Sequence, residues 1–215
     1  IFKNKAWVVH NGLKIKINFH RKFKNKNIFN LISIGDLNEQ KNHYFLLKIV
    51  SNLIKKKINF RFTIIGDGPK KNILKERIKK LNLQRYVILK GYKLNINKEL
   101  RNSDIYLHSA LYEGLPNAIM EAMSMSLPCI VTNGNGCNEL IKNKFNGIIV
   151  KNNNEKLFTK ELLSLIKNVY LRKKYGSRAF KTINNEFSVE KFIRKNEKIY
   201  YKLFINKFKK NIENI

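Results

Sequence analysis

Short apolar runs rich in β-branched residues alternate with longer segments of helical period along most of this 215-residue chain. Strands that are short and continuously apolar are typical of a sheet buried on both faces. Because a helix follows most of them, the pattern predicts an α/β fold with a doubly wound, mostly parallel, Rossmann-like sheet and helices on both faces. The predicted strands cover residues 31–35, 60–66, 86–91, 105–109, 128–132 and 147–150.

Apolar residues three and four positions apart predict a helix after most of these strands. Ser188 precedes Val189-Glu190-Lys191 in a pattern like a capping box, which predicts a long terminal helix. The chain is therefore divided into a connector at residues 1–30, a Rossmann-like domain at 31–186 and a closing helix at 187–215. The helices predicted before the closing helix cover residues 42–56, 71–81, 96–102, 117–126, 138–143, 155–169 and 171–185.

The chain is strongly basic, with 44 Lys+Arg, 15 Asp+Glu and a formal net charge of +29. Such a charge normally suggests nucleic-acid binding. Nearly all of the cations are lysines, however, and they are accompanied by many Asn and Ile residues, as A/T-rich codons would produce. They are also spread over most of the predicted helices and are not gathered on one, which disfavours nucleic acid as the partner. A basic surface can still attract phosphates or acidic lipid headgroups.

No run approaches the roughly 20 apolar residues that a membrane span requires. The longest candidate, residues 118–131, is broken by Glu121 and Pro128. The chain starts at Ile1 and has no signal-peptide pattern, so we expect it to be part of a longer protein. The two cysteines do not have a metal-ligand spacing. The histidines are scattered and are interpreted as isolated surface or core residues: His10, His20, His43 and His108.

Two carboxylates, Glu113 and Glu121, lie eight positions apart in the string S-A-L-Y-E-G-L-P-N-A-I-M-E-A-M, residues 109–123. With a Gly and a Pro they surround the start of an apolar helical segment, an arrangement that suits binding of a polyhydroxylated ligand at a helix N-terminus. The alternative is helix-start electrostatics with a solvated face. Since ligands of parallel sheets bind at the carboxyl ends of the strands, the small and polar residues there are expected to rim one cleft.

Six strings, in order and at fitting spacings, resemble the C-terminal, donor-binding domain of glycosyltransferase family 4, which comprises retaining enzymes of the GT-B architecture. V-V-H-N-G at 8–12 resembles the interdomain linker of that family, and F-S-V-E-K-F at 187–192 resembles the start of its closing helix. The resemblance implies one half of a GT-B fold, without the N-terminal Rossmann-like domain that carries most of the acceptor site. The strings are I-S-I-G-D-L-N-E-Q-K-N-H (32–43), I-I-G-D-G-P (64–69), V-I-L-K-G-Y (87–92), residues 109–123 above, L-P-C-I-V-T (127–132) and G-N-G-C-N-E-L-I (134–141).

The resemblance also implies roles for individual residues. Glu121 would accept hydrogen bonds from the donor ribose, and Glu113 would face the transferred sugar, since a carboxylate can hold adjacent hydroxyls. Lys41 would bind the donor diphosphate and stabilise its growing charge without a metal. The catalytic residues are therefore predicted to be Lys41 and Glu113, and the donor-binding residues Gly35, Tyr92, Gly114, Leu115, Pro116, Asn117 and Glu121.

Three positions depart from the pattern of the family. Asp36 stands where the family usually has Arg, so either its side chain points away from the diphosphate or donor binding is weakened. Ser126 stands in place of a Gly before L-P, and Asn135 stands in place of the first Gly of a pair. These two changes are milder, because Ser is small and Asn tolerates left-handed conformations.

The implied activity is transfer of a hexose from a nucleotide sugar to a glycan or lipid-linked acceptor, with retention, in surface polysaccharide or glycolipid biosynthesis. A UDP-sugar is the expected donor, with GDP and ADP open, and no metal or other cofactor is implied. The expected location is the cytoplasm, with peripheral contact at the inner face of the cell membrane. Two alternatives stay open: a non-catalytic nucleotide-sugar-binding fragment or subunit that needs a separate acceptor-binding chain, and nucleic-acid binding through the basic charge.

Overall fold

The structure is a computed structural model that describes residues 6–15, 21–151 and 154–212, with side chains described up to residue 205. Residues 1–5 and 16–20 of the predicted connector, including His20, lie outside the described residues. So do residues 213–215 of the predicted closing helix.

One parallel sheet organises the molecule. Its strands lie in the order β3-β2-β1-β4-β5-β6, and every neighbouring pair is parallel. The order reverses between the first and fourth strands, and in such sheets this is where a crevice opens beyond the carboxyl ends. The predicted doubly wound sheet is confirmed. The strands are β1 (Phe29–Ile34), β2 (Phe60–Ile65), β3 (Val87–Leu89), β4 (Ile105–His108), β5 (Cys129–Thr132) and β6 (Ile148–Val150).

Helices connect or follow these strands throughout the described residues. Asn154 and Asn168 cap two of them, because their side-chain Oδ1 atoms accept the backbone N–H of Leu157 and Leu171 at 2.9 and 3.1 Å. Each such cap stabilises its helix by about 1 kcal/mol. The helices are α1 (His43–Lys55), α2 (Lys71–Lys80), α3 (Asn97–Asn102), α4 (Asn117–Ser124), α5 (Cys137–Leu140), α6 (Glu155–Lys167), α7 (Val169–Glu186) and α8 (Val189–Ile212).

Two apolar clusters cover the two faces of the sheet. Leu31 belongs to one cluster and Ile32 to the other, and successive residues of a strand point to opposite faces. The first cluster contains buried residues of α1, α2 and α6, whereas the second contains those of α4 and α5; α7 contributes Tyr175 to the first and Ala179 and Ile183 to the second. Each fully buried large apolar side chain contributes roughly 2 kcal/mol to this packing. Helices therefore lie on both faces, as predicted.

The first strand begins earlier than predicted. β1 starts at Phe29, so Phe29 and Asn30 belong to the sheet and not to the connector. The Asn30 N–H donates to Asp104 Oδ2 at 2.9 Å, which ties the start of β1 to the residue before β4. Further upstream, the Leu13 N–H donates to the Phe187 carbonyl oxygen at 2.8 Å, so the described part of the connector lies against the end of α7.

The helix predicted at residues 138–143 is wrong over its second half. α5 begins at Cys137 and ends at Leu140. The Asn146 side chain explains this end: its Oδ1 accepts the Lys142 N–H at 2.8 Å, and its Nδ2 donates to the Leu140 carbonyl oxygen at 3.0 Å. These bonds replace those that a continued helix would have made.

Candidate active site

Glycines stand just beyond the carboxyl ends of β1, β2 and β3. The Gly35 N–H donates to the Ile65 carbonyl oxygen at 3.0 Å, and the Gly66 N–H donates to that of Gly91 at 2.9 Å. A Cβ atom on Gly66 would lie 2.0 Å from the Gly35 carbonyl oxygen, so no other residue fits there. At these three positions the backbone carries no side chain, which permits close approach of a ligand.

The segment between β1 and α1 places Lys41 beside the end of β4. Asn38 Oδ1 accepts the Lys41 backbone N–H at 3.0 Å, and Asn42 takes a left-handed conformation with φ of 48° before α1 begins. Ser109 Oγ lies 2.8 Å from the Lys41 carbonyl oxygen and 2.9 Å from that of Asn42. The Lys41 side chain passes over Gly35, where an added Cβ would lie 3.3 Å from Lys41 Cδ. Lys41 is thus positioned by residues that follow β1 and by Ser109, which follows β4, the two strands at which the sheet order reverses.

Glu113 receives two hydrogen bonds through a single carboxylate oxygen. Lys41 Nζ lies 2.6 Å from Glu113 Oε1, and His108 Nε2 lies 3.0 Å from the same atom. The Glu113 and His108 side chains are 7% and 3% exposed, whereas that of Lys41 is 19% exposed. Among the described residues Glu113 Oε2 has no partner. That oxygen can therefore accept a hydrogen bond from a ligand.

The protonation states of this group follow from burial and contact. Burial opposes ionisation of Glu113, but the hydrogen bonds from His108 and Lys41 outweigh it and hold the Glu113 pKa below its usual range. Burial lowers the pKa of His108, against the raising effect of Glu113, so the imidazole is neutral at pH 7. Because a carboxylate only accepts hydrogen bonds, the proton of the neutral His108 ring is on Nε2, which donates the hydrogen bond to Glu113.

The interpretation of the histidines as isolated residues is wrong for His108. It ends β4 and contacts Glu113, and it also lies near His43 at the start of α1. Burial lowers the pKa of His43 to about 3, and the nearby His108 and Lys41 add to this effect. His43 Nδ1 has no hydrogen-bond partner among the described residues. The signal that sequence reasoning passed over is a histidine at the carboxyl end of a buried strand, five residues before Glu113.

The loop of residues 113–116 rests on the turn between β5 and α5. The Gly136 N–H donates to the Glu113 carbonyl oxygen at 3.1 Å. On its other side, nothing lies within 4 Å of the position that a Cβ of Gly114 would take. Leu115 packs half-buried against the second apolar cluster, and Pro116 is buried. The loop is therefore packed against the β5–α5 turn and the second apolar cluster, while its Gly114 side has open space for a ligand.

The N-terminus of α4 has no side-chain cap, and Pro116 at its N-cap has no N–H to donate. Within the described part of the chain, no protein acceptor binds the backbone N–H groups of Gly114, Leu115, Asn117 or Ala118. These donors lie at the positive end of the helix dipole, which favours an anion or an electron-rich oxygen. The structure thus brings the predicted backbone donors together at one open helix end.

Glu121 lies on the second turn of α4 and is partly buried. Its carboxylate has no hydrogen bond or ion pair among the described residues, and burial raises its pKa. The buried Tyr106 connects the two glutamates: burial raises the Tyr106 pKa, and both Glu121 and Glu113 lie close enough to raise it further. Both predicted carboxylates therefore lie near Tyr106. A partly buried carboxylate without a protein partner is suited to accepting ligand hydroxyls.

Two other positions singled out in the sequence, Tyr92 and Asp36, are exposed. Tyr92 follows β3 and is 71% exposed. Since β2 separates β3 from β1, the two strands are about 10 Å apart. Asp36 is exposed directly after Gly35, and its side chain makes no hydrogen bond or ion pair among the described residues.

The two milder departures differ in their geometry. Ser126 has a φ of 53°, a left-handed conformation in which the glycine of the family would be unstrained. Asn135 has no positive φ, so its place in the turn does not require glycine. Only Ser126 therefore carries a conformational cost.

Comparison with known sequences decides the family. The family described as Glycosyl transferases group 1 matches residues 14–182, well over half of the chain. This chain belongs to the glycosyl transferases group 1 family. The match includes all six strands and the whole Lys41, His108 and Glu113 arrangement.

Two curated relatives illustrate the family. An uncharacterised glycosyltransferase of Methanocaldococcus jannaschii is 40% identical over 139 residues, covering 60% of this chain and 34% of that protein. The UDP-Gal:α-D-GlcNAc-diphosphoundecaprenol α-1,3-galactosyltransferase of Escherichia coli is 32% identical over 185 residues, covering 85% of this chain and 48% of that protein. The chain thus spans less than half the length of these two relatives.

Among solved structures, the glycosyltransferase fold is matched by TarM of Staphylococcus aureus, crystallised as a mutant with fondaparinux, α-GlcNAc-glycerol and UDP. The TM-score is 0.83 at 26% identity, covering 90% of this chain and 39% of that one. The six-stranded parallel sheet is therefore that of GT-B glycosyltransferases.

The described residues contain neither a membrane-spanning helix nor a metal-binding cluster. No helix there combines the length and apolar character needed to cross a bilayer. No group of three His, Cys, Asp or Glu side chains there is arranged to hold a metal ion.

Proposed function

We propose that this glycosyl transferases group 1 chain is the C-terminal, donor-binding half of a family 4 retaining hexosyltransferase. The donor is a UDP-hexose. The enzyme transfers the hexose to a glycan or lipid-linked acceptor in surface polysaccharide or glycolipid synthesis. The acceptor site lies mostly on a second Rossmann-like domain. The reaction takes place in the cytoplasm, with peripheral contact at the inner face of the membrane.

One observation carries this proposal: the Glu113 carboxylate, held by Lys41, belongs to the loop whose free backbone N–H groups lead into α4 at the switch point of the sheet. Lys41 Nζ has three N–H donors and uses one on Glu113, so two remain for phosphate oxygens. The α4 N–H groups add fixed donors beside it. Cation and dipole together stabilise the charge that develops on the leaving diphosphate, without a metal.

The two glutamates divide the rest of the donor. Glu113 Oε2 accepts a hydrogen bond from a hydroxyl of the transferred sugar. The unpartnered Glu121 carboxylate accepts hydrogen bonds from the ribose hydroxyls. The exposed edge at Gly91 and Tyr92 contacts the base through its backbone. The two glutamates are not the acid and nucleophile pair of a glycosidase: the lowered pKa of Glu113 does not suit a general acid, and Glu121 is assigned to the ribose.

The test is calorimetric titration with UDP-, GDP- and ADP-hexoses of the parent chain and two site variants, Lys41→Ala and Glu121→Ala. We expect one donor to bind the parent and to lose at least about tenfold in affinity in each variant, since each removes charge-assisted hydrogen bonds. Lys48→Ala is the matched control, because Lys48 pairs with Glu155 on the surface at 3.0 Å, away from the site.

A donor that binds the parent and both site variants equally would show that the site is elsewhere. Donor binding without transfer to any glycan or lipid-linked acceptor would favour the non-catalytic subunit over the transferase. Binding of nucleic acid that falls steeply with salt, with no donor bound, would contradict both.

A further inference from the structure

Glu113 is held by two residues, Lys41 and His108, that differ in rigidity. Lys41 reaches it with a long flexible side chain from a loop, and this side chain is more exposed than that of His108. His108 reaches it from β4, where all four residues are buried. The His108 backbone pairs with Val131 of β5, and its ring stacks on Tyr106 with centroids 6.2 Å apart.

We propose that His108 is the positioning residue for Glu113: its Nε2–H holds Glu113 Oε1, so that Oε2 stays directed at the transferred sugar while Lys41 shares its donors between Glu113 and the diphosphate. This inference rests on the proposed function for the role of the sugar. The contact between His108 and Glu113 does not depend on it.

The chemistry of His108 suits this role. A neutral imidazole donates one hydrogen bond and adds no second positive charge beside Lys41. A lysine or arginine at the end of β4 would compete with Lys41 for the diphosphate, and an apolar residue would leave Glu113 dependent on Lys41 alone. Residues that hold a binding carboxylate act best from rigid elements with fixed rotamers, and β4 is such an element.

His43 offers a matched comparison. It is a second buried imidazole beside Lys41 and His108, 3% exposed, but it makes no contact with Glu113. A general effect of removing a buried imidazole would appear in both histidines. An effect of positioning Glu113 appears in His108 alone.

The experiment compares three variants of the chain: His108→Gln, His108→Met and His43→Met. Gln has an amide N–H that can replace the Nε2–H donor, whereas Met has similar length and no donor. Thermal unfolding of each variant identifies those that fold. Because Gln and Met differ mainly in the donor, the comparison between them remains informative if both lower stability.

The first readout needs no ligand. Carbon-13 NMR of the labelled glutamate carboxyls follows the titration of Glu113. We expect its pKa to rise in His108→Met, because a hydrogen bond to the carboxylate is lost, and to stay near the parent value in His108→Gln and His43→Met. A Glu113 titration in His108→Met equal to that of the parent overturns the proposal, whether or not any nucleotide sugar binds.

The second readout compares the affinities for UDP and for a UDP-hexose, UDP-glucose and UDP-galactose being the probes. We expect His108→Met to lose about tenfold on the UDP-hexose and little on UDP, with recovery in His108→Gln. An equal loss on both ligands, or no recovery with Gln, means that His108 is merely structural and overturns the role towards the sugar. If the parent binds neither ligand, the proposed function fails, and the carboxyl titration alone decides whether His108 holds Glu113.

Discussion

Gly136 packs against Gly114 so closely that a Cβ atom on Gly136 would lie 1.2 Å from the Gly114 carbonyl oxygen. We expect Gly136→Ala to push the loop of residues 113–116 out of place and to lower the free energy of unfolding by about 3 kcal/mol, as overpacking does. Donor affinity should fall with it. In the control Gly134→Ala, the new Cβ would lie 3.0 Å from the Ala110 carbonyl oxygen, a tight but smaller conflict. Equal effects of the two variants in urea unfolding and titration would contradict this packing.

Removal of the Lys41 cation should destabilise the protein at neutral pH. The Lys41 bond helps to hold the Glu113 pKa low, and a carboxyl with a lowered pKa stabilises the fold above its unfolded value of 4.5 and loses this as pH falls through the folded value. Lys41→Met should therefore cost about 2 kcal/mol at pH 7, and less at pH 3. Urea unfolding at both pH values measures it, and a cost that does not diminish on acidification would argue against the pair.

Glu121 should make the folded protein less stable at neutral pH than glutamine would at the same position. Burial raises its pKa above 4.5, so the folded state binds the proton more tightly and the wild-type protein loses stability as pH rises from 4.5 through the folded pKa. We expect Glu121→Gln to raise the melting temperature at pH 7 but not at pH 4. The same variant should weaken UDP binding about tenfold. A variant that is less stable than the parent at pH 7 would mean that the carboxylate has a protein partner.

Ser126 should be improved by glycine. Its left-handed backbone, with φ of 53°, costs a non-glycine residue energy that the flexibility of glycine in the unfolded chain only partly offsets. Ser126→Gly should raise the free energy of unfolding by about 0.5 kcal/mol. Ser124→Gly, at the last residue of α4, should lower it by about 0.5 kcal/mol because the backbone there is helical. Denaturant titration of both variants tests the difference in sign.

The exposed Asp36 should oppose an anionic donor. Asp36→Arg replaces a negative by a positive charge just beyond β1 and adds a planar donor for phosphate, so UDP should bind about tenfold more tightly. Glu39→Arg makes the same charge change on a residue that pairs with Lys70 instead. An equal gain in both variants by calorimetry would indicate general attraction, and no gain with Asp36→Arg would place its side chain away from the donor.

Patterns of consecutive residues were sufficient to predict the six strands and the helix start at Asn117 between the two glutamates. A buried parallel strand and a helix start each have a recognisable local sequence. It was not sufficient where a distant side chain decides. α5 ends at Leu140 because Asn146 folds back on it, and this amide is anchored by Thr182 of α7 at 3.0 Å. The role of His108 likewise depends on how the loop after β4 returns Glu113 to the strand end. Neither contact has a periodic signature.

The Ser109 hydroxyl has one proton but lies within hydrogen-bond distance of two carbonyl oxygens, those of Lys41 and Asn42. It can serve only one of them fully at a time. Directly before these two carbonyls, that of Gln40 accepts the Leu111 N–H at 2.8 Å. Three successive carbonyl groups around Lys41 are thus tied to the residues that follow β4, so the backbone of the diphosphate-binding lysine is preorganised before any ligand binds.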